Sequence, residues 1–267
     1  MSYVILINIL VMNASEIERT YYDWEEQLER EYNELFSDSQ YNIFDGVISP
    51  KDYYLSPIKV LFLNREAYDE DSYSISQALK HEIETGKKIF GGKAWININT
   101  KERLAYCFLL SRILDISEND AISYAQDMGN DEYRSLLYKS AYCNIKKSNG
   151  VDRSSRSDLF KYAQKGWEII MKQISYFNPT IIIGGNVIDG IIECLEDIRW
   201  GSPRILSRNG SVVIYQIEFG GNIYPFVDMY HPSSRHHSYD LLYALRSVAQ
   251  NYPGYWEKRI SQECFKL

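Results

Sequence analysis

The chain has 267 residues, of which 45% are hydrophobic and 24% charged, and its net charge is −7. This is the composition of an ordinary globular protein, not of a disordered or fibrous one. The 4 cysteines are scattered without a Cys-x-x-Cys pair, which argues against a disulfide framework, a zinc site and a cysteine-held iron–sulfur cluster.

The apolar run at residues 3–12 has neither the basic start nor the cleavage site of a signal peptide, and it is too short to span a bilayer. We expect it to be a core element, and we expect a cytoplasmic protein with no membrane partner. Residues 1–60 hold 11 acids against 4 bases and therefore carry the whole net charge, whereas residues 134–172 hold 9 bases against 3 acids. That basic segment could bind phosphates or simply form a solvated helix face.

The first half of the chain predicts one buried strand among several helices. The short apolar run 58–63 is typical of a buried strand. Helices are predicted over 14–37, with Ser15 as the N-cap, and over 101–114 and 118–127. The polar, glycine-containing stretch 70–94 predicts a mobile flap.

The second half predicts four strands and three helices. Strands are predicted over 137–145, 180–186, 211–218 and 223–230, the last two joined by a turn at Gly220-Gly221-Asn222, and helices over 157–177, 187–196 and 238–250. Apolar strands that alternate with helices indicate an α/β fold with a mostly parallel sheet covered on both faces. In such sheets ligands bind at the carboxyl ends of the strands.

Polar motifs follow these strand ends. Asn64-Arg65-Glu66-Ala67-Tyr68 leaves the first strand, Asn144 leaves the second, and Ile182-Ile183-Gly184-Gly185 ends the third. His231-Pro232-Ser233 ends the last strand, where the proline restricts the residue before it. With these motifs, residues 58–245 resemble the uracil-DNA glycosylase superfamily, in a divergent bacterial branch.

The resemblance implies a three-layer α/β/α sandwich with a mostly parallel central sheet of about four strands. Residues 58–267 would form this domain, and residues 1–57 an acidic helical extension packed on it. A glutamate stands where the family has aspartate or asparagine, and the glycine, glutamine and proline of its first motif are missing. These differences imply a pocket of different depth, so uracil itself is not transferred as the substrate.

Four residues are then candidates for the chemistry. Glu66 would orient the attacking water, and a neutral His231 would stabilise the departing base. Asn144 would read the edge of the base, and Tyr68 would stack on it. Read as ordinary residues, these are a loop acid, a structural histidine, a turn former and a core aromatic.

The DNA backbone would be held by hydroxyl and basic side chains, without reading its sequence. The candidates are Lys146, Lys147, Ser148, Ser233, Ser234 and Arg235. Arg235, with His236 and His237, would also wedge into the vacated base stack. We expect no metal and no cofactor, and a monomer whose partner is DNA, including phage DNA with modified bases.

The sequence therefore predicts a monofunctional DNA glycosylase that flips out a uracil-like or phage hypermodified base and leaves an abasic site, in repair or anti-phage defence. Two alternatives stay open: a catalytically weak protein that binds modified DNA, and a nucleoside or nucleotide hydrolase. A Ser–His–Asp hydrolase is disfavoured, because the chain has no Gly-x-Ser-x-Gly elbow.

Overall fold

The computed structural model describes most of the chain, with gaps that fall mainly between elements. The described residues are 13–37, 42–65, 73–85, 93–114, 116–148, 155–188, 191, 203–219, 221–231, 233–235 and 238–264. The predicted core element at 3–12 and most of the predicted helix at 187–196 lie outside them.

The described residues form helices and strands, with successive helices over 75–137 and successive strands over 204–229. The helices are α1 (Ala14–Leu35), α2 (Pro50–Tyr54), α3 (Ile75–Thr85), α4 (Lys93–Leu110), α5 (Glu118–Asp127), α6 (Asn130–Leu137), α7 (Arg156–Phe177), α8 (Ser238–Asn251) and α9 (Tyr255–Cys264). The strands are β1 (Ile43–Phe44), β2 (Val60–Asn64), β3 (Tyr73–Ser74), β4 (Ser140–Asn144), β5 (Ile181–Gly185), β6 (Arg204–Asn209), β7 (Val212–Phe219) and β8 (Asn222–Met229). Within the described residues, no helix is both long and apolar enough to cross a membrane.

The main sheet has six strands in the order β4-β2-β5-β8-β7-β6. The first four are parallel, whereas β7 and β6 are antiparallel additions. The protein is thus an α/β protein with a mixed sheet, and the expected size of about four strands was wrong. The strand of this sheet that the sequence did not predict is β6. Its first two residues and Arg208 are exposed, so it lacks the continuous apolar run that indicates a buried strand.

Side chains of the sheet alternate between two apolar clusters. Phe62, Tyr142 and Ile183 pack with α4, α5, α6 and α8 on one face. Leu61, Cys143 and Ile182 pack with α1 and α7 on the other. Each parallel strand is therefore buried on both faces, which explains why β2 and β5 read as continuous apolar runs.

Two local predictions were wrong. The N-cap of α1 is Asn13, not Ser15: its side chain accepts hydrogen bonds from the N–H groups of Ser15 and Glu16, and Glu16 bonds back in a capping box. In the predicted flap, β3 and α3 occupy residues 73–85. The polar residues of α3 cover its solvent face, while Leu79 and Ile83 are buried.

The first part of the chain packs against the sheet layer. Ile17 and Tyr21 of α1 share an apolar cluster with Trp167 and Ile170 of α7. The division of the chain at residue 57 stays a prediction.

Candidate functional site

At the adjacent strands β2 and β5, the connections to the following strands run toward opposite edges of the sheet. The chain leaves β2 toward β4 on one side and leaves β5 toward β8 on the other. Two loops that diverge in this way open a crevice at the carboxyl ends of the strands, which is where α/β proteins bind ligands. Arg65, which follows β2, is bonded to the segment that follows β5: its Nε and Nη2 donate to the carbonyl of Asn186 at 3.2 and 2.9 Å.

Two asparagines lie side by side at the same edge. Asn64 and Asn144 are partners in the β2–β4 register, and they follow Phe62 and Tyr142 by two residues on the same face of the sheet. Asn64 Oδ1 and Asn144 Nδ2 are buried and have no hydrogen-bond partner in the described part of the chain. Buried polar atoms without partners are rare in native proteins and cost about 1–3 kcal/mol each. This pair therefore marks a position where a hydrogen-bonding ligand would be stabilising.

The hydrogen bonds of His231 define its tautomer. Its Nδ1 accepts from the backbone N–H of Ser233 at 3.3 Å and lies 2.8 Å from the Ser233 hydroxyl. Because Nδ1 is an acceptor, the ring proton of the neutral imidazole is on Nε2. Although the residue is exposed, its pKa is lowered, first by partial desolvation of the ring and then by the positive charges of Arg65 and Lys101. At neutral pH His231 is consequently an uncharged donor.

Helix α4 holds the turn that carries His231. Lys101 Nζ donates to the carbonyl of Ser234, and Asn97 Nδ2 donates to the carbonyl of Ser233 at 2.7 Å. The turn is closed by a 2.7 Å hydrogen bond from Ser234 N–H to the His231 carbonyl. Burial lowers the pKa of Lys101 to about 8. A buried ammonium group thus fixes the turn and adds positive charge next to the imidazole.

Asn144 ends β4 and His231 follows the last residue of β8 by two positions, so both lie at the carboxyl edge of the parallel strands. Met229, two residues before His231, is level with Gly185 and packs in the cluster that contains Tyr142. β4 and β8 are three strand spacings apart, or about 14 Å at the usual spacing of strands. Glu66, Tyr68, His236 and His237 lie outside the described residues, and their roles stay predictions.

The proposed phosphate contact by Lys147 is wrong. Its Nζ is buried and donates to both carboxylate oxygens of Asp45, at 2.7 and 2.8 Å. Asp45 also accepts from Gln173 Nε2 at 2.9 Å and from the backbone N–H of Asn144. A carboxylate 102 positions earlier in the chain already neutralises this lysine.

Lys146 and Ser148 are also buried, which argues against their predicted contacts with phosphates. Lys146 is buried, with its ammonium group 5.0 Å from the centre of the Tyr162 ring. Ser148 is buried where its backbone bridges to Asn42. A charged segment after a strand suggested an exposed loop, but here the loop is covered by residues from the first part of the chain.

The other three predicted backbone contacts lie at the surface. Arg235 is exposed, and Ser233 and Ser234 are half-buried. The hydroxyl of Ser233 is engaged with His231. Their contact with DNA stays a prediction.

Sequence reasoning missed four residues of the site. Asn64 and Arg65 stand within the motif that pointed to Glu66, so their position was visible but their role was not. Asn97 and Lys101 lie on α4, far from any motif. Only the packing of that helix against the turn places them here.

Among the described residues, no group of three or more His, Cys, Asp or Glu side chains could hold a metal ion. No protein-family model, curated protein or solved structure matches the chain. The residues at the edge of the sheet are therefore the basis for a functional proposal.

Proposed function

We propose that the protein is a DNA glycosylase that hydrolyses the N-glycosidic bond of a non-canonical or modified base and leaves an abasic site. The observation that carries this proposal is a neutral His231 beside Arg65 and Lys101 at the carboxyl edge of a parallel sheet. A base that leaves its sugar departs with the electrons of the broken bond. An N–H donor flanked by positive charges stabilises such an anion, as an oxyanion hole does.

The asparagine pair would recognise the extruded base. An amide offers a donor and an acceptor together, so Asn144 and Asn64 would fit a base edge that has a carbonyl next to an N–H. A duplex base reaches such a position only when it is flipped out, at a cost of a few kcal/mol. The hydrogen bonds that these unpaired amides gain would offset part of this cost.

In the proposed reaction Glu66 would orient a water molecule toward the anomeric carbon. The water oxygen bonds to that carbon while the carbon–nitrogen bond breaks, and the glutamate takes the proton of the water. His231 Nε2–H would donate to the departing base. The four parallel strands of the mixed sheet, with helices on both faces, support the finer proposal that the fold is of the uracil-DNA glycosylase type.

The test is base release from defined DNA. The protein would be incubated with genomic DNA from unmodified and hypermodified phages and with uracil-containing duplexes, released bases being identified by mass spectrometry and abasic sites counted. We expect release from at least one of these DNAs and its loss in Glu66→Gln, with DNA affinity retained. Binding without any release would favour the alternative of a weakly active reader of modified DNA.

The burial of Lys146, Lys147 and Ser148 favours a second candidate, a nucleoside or nucleotide hydrolase, since it removes three of the expected contacts with a polymer. Such an enzyme would release bases from free nucleosides or nucleotides, with little dependence on salt. A glycosylase would act on DNA and lose affinity as the salt concentration rises. The same mass-spectrometric assay on free deoxynucleosides and on DNA separates the two.

A further inference from the structure

A cavity lies between α4, α5 and α8, and Thr100 in its lining is the residue before Lys101, which holds the His231 turn. Its volume is about 200 Å³, and its polar lining comes from Thr100, Arg103, Gln126 and Ser238, with Tyr239 at the rim. We propose that this cavity binds a phosphate group, and that in the intact complex the phosphate belongs to the DNA strand next to the extruded nucleotide. The inference that the phosphate belongs to DNA rests on the proposed function, whereas the inference that the cavity binds phosphate does not.

Arg103 would supply the charge. Its Nη1 donates to the carbonyl of Met128 at 2.8 Å, and its guanidinium lies 4.6 Å from the centre of the Tyr133 ring. These two contacts hold the side chain in one orientation. Within the described part of the chain, Arg103 forms no ion pair with a carboxylate, and its buried Nε has no hydrogen-bond partner. A guanidinium that is held in place without a direct ion pair suits the planar, multidentate recognition of phosphate.

Two carboxylates that are close in sequence to lining residues have other partners. Glu102 accepts hydrogen bonds from Tyr133 and Ser140 in the core, and burial raises its pKa to about 7. Asp240 accepts from Asn209 Nδ2 and lies against Gly210 in the turn between β6 and β7. The positive charge of Arg103 partly opposes this rise in the pKa of Glu102, so a neutral Glu102 leaves the charge of Arg103 to the cavity.

The remaining polar groups of the lining can donate to phosphate oxygens. Thr100 and Ser238 carry hydroxyls, and Gln126 carries an amide. Ser238 is also the first residue of α8, where backbone N–H groups lack partners within the helix. These groups add to the site that the cavity and Arg103 define.

The rim of the cavity favours a nucleic-acid strand over a free anion. Tyr239 is 60% exposed, and Tyr243, one helical turn later, is 52% exposed. Exposed aromatic rings next to a cationic groove are the usual platform on which the bases of single strands stack. α8 begins only a few residues after His231, so a strand on this platform would continue toward the candidate site.

The experiment measures binding to DNA that contains no excisable base, so that it does not depend on base release. Fluorescence anisotropy would follow a labelled single-stranded oligonucleotide, and calorimetry would follow inorganic phosphate and a deoxynucleoside monophosphate. The variants are Arg103→Gln, which removes the charge, and Gln126→Glu, which adds an opposing charge at an exposed position. Gln250→Glu makes the same charge change at an exposed position near the other end of α8 and is the matched control.

We expect Arg103→Gln and Gln126→Glu each to weaken oligonucleotide binding about tenfold, and Arg103→Gln to reduce the salt slope by about 1. Gln250→Glu should bind like the wild type, and Tyr239→Ala should weaken the oligonucleotide but not inorganic phosphate. Binding of phosphate or mononucleotide but not of the oligonucleotide would support the site and overturn the strand as its source. The site would be overturned if Arg103→Gln and a folded Gln126→Glu both bound the oligonucleotide as tightly as Gln250→Glu and the wild type. If the pocket variants weaken binding while no DNA releases a base, the phosphate site stands and the glycosylase proposal fails.

Discussion

The chemistry of His231 depends on its immediate neighbours. The backbone N–H of Ser233 makes Nδ1 an acceptor, and Arg65 and Lys101 disfavour a second proton on the ring. A histidine in a solvated turn would have neither constraint. The same side chain thus becomes a neutral donor, which is the form that can stabilise an anion without first losing a proton.

The titration of His231 tests this account. Arg65→Gln removes one of the two positive charges and keeps an amide that can donate to Asn186, so we expect the pKa of His231 to rise toward its ordinary value of about 6.5. NMR titration of the ring nitrogens measures both the pKa and the tautomer. Arg208→Gln removes the same charge from an exposed position on β6 and should leave the titration unchanged. A wild-type pKa at or above 6.5 would contradict the account.

Asn144 is expected to serve binding at the expense of stability. Its Nδ2 is buried without a partner, so Asn144→Leu removes an unsatisfied group. We expect the free energy of unfolding to stay within about 1 kcal/mol of the wild type or to increase, while base release falls at least tenfold. Urea unfolding and the base-release assay together check this. A large loss of stability would show that the amide has a structural role.

At the scale of elements, the end of β4 is held by a buried cluster around Asp45. The carboxylate binds Lys147, Gln173 and the backbone N–H of Asn144. It therefore joins the segment before α2 to β4 and α7. An ion pair of this kind contributes little net stability over apolar residues, but each partner depends strongly on the other.

A double-mutant cycle should show this dependence. Asp45→Asn and Lys147→Met would each leave one buried charge without its partner, and each should lower the free energy of unfolding by about 3–5 kcal/mol. The double variant should lose much less than the sum of the two. Urea unfolding measures all three, and additive losses would contradict a coupled pair.

At the scale of the whole molecule, both faces of the sheet carry a buried carboxyl group with a raised pKa. Burial raises the pKa of Glu102 to about 7 on the α4 face, against the opposing hydrogen bonds from Ser140 and Tyr133. Burial also raises the pKa of Glu25 to about 7 on the α1 face, with further contributions from Glu29 and Asp45. Both groups bind a proton more tightly in the folded protein than in the unfolded chain.

Stability should therefore decrease as the pH rises from about 4.5 to 7, because the folded state holds protons that the unfolded state has released. Each group should contribute about 2 kcal/mol to the difference between pH 5 and pH 7.5. Glu102→Gln should remove the contribution of Glu102 to this pH dependence of the free energy of unfolding. Denaturant unfolding between pH 5 and pH 7.5 would measure it. A Glu102→Gln profile parallel to that of the wild type would contradict the assignment.

Much of the fold could be predicted from local patterns. Residues 118–127 form a helix as predicted, and α7 and α8 each differ from prediction by one residue at one end. β2, β5 and the β7–β8 hairpin follow from apolar runs that end in polar or glycine residues. These features depend on neighbours along the chain, which a sequence displays directly.

Tertiary structure alone decided which strands are adjacent and which charges are free. Lys147 lies in a basic segment of the sequence, but in the fold it is buried against Asp45. Arg65 and Lys101 lie in separate segments of the sequence, but in the fold both are close enough to His231 to lower its pKa. Sequence by itself determined five of the six strands of the main sheet, the helices α1, α5, α7 and α8 and the polar residues at strand ends, because backbone hydrogen bonding and apolar periodicity are local. Pairing, burial and protonation depend on residues far apart in the chain, and only packing brings those residues together.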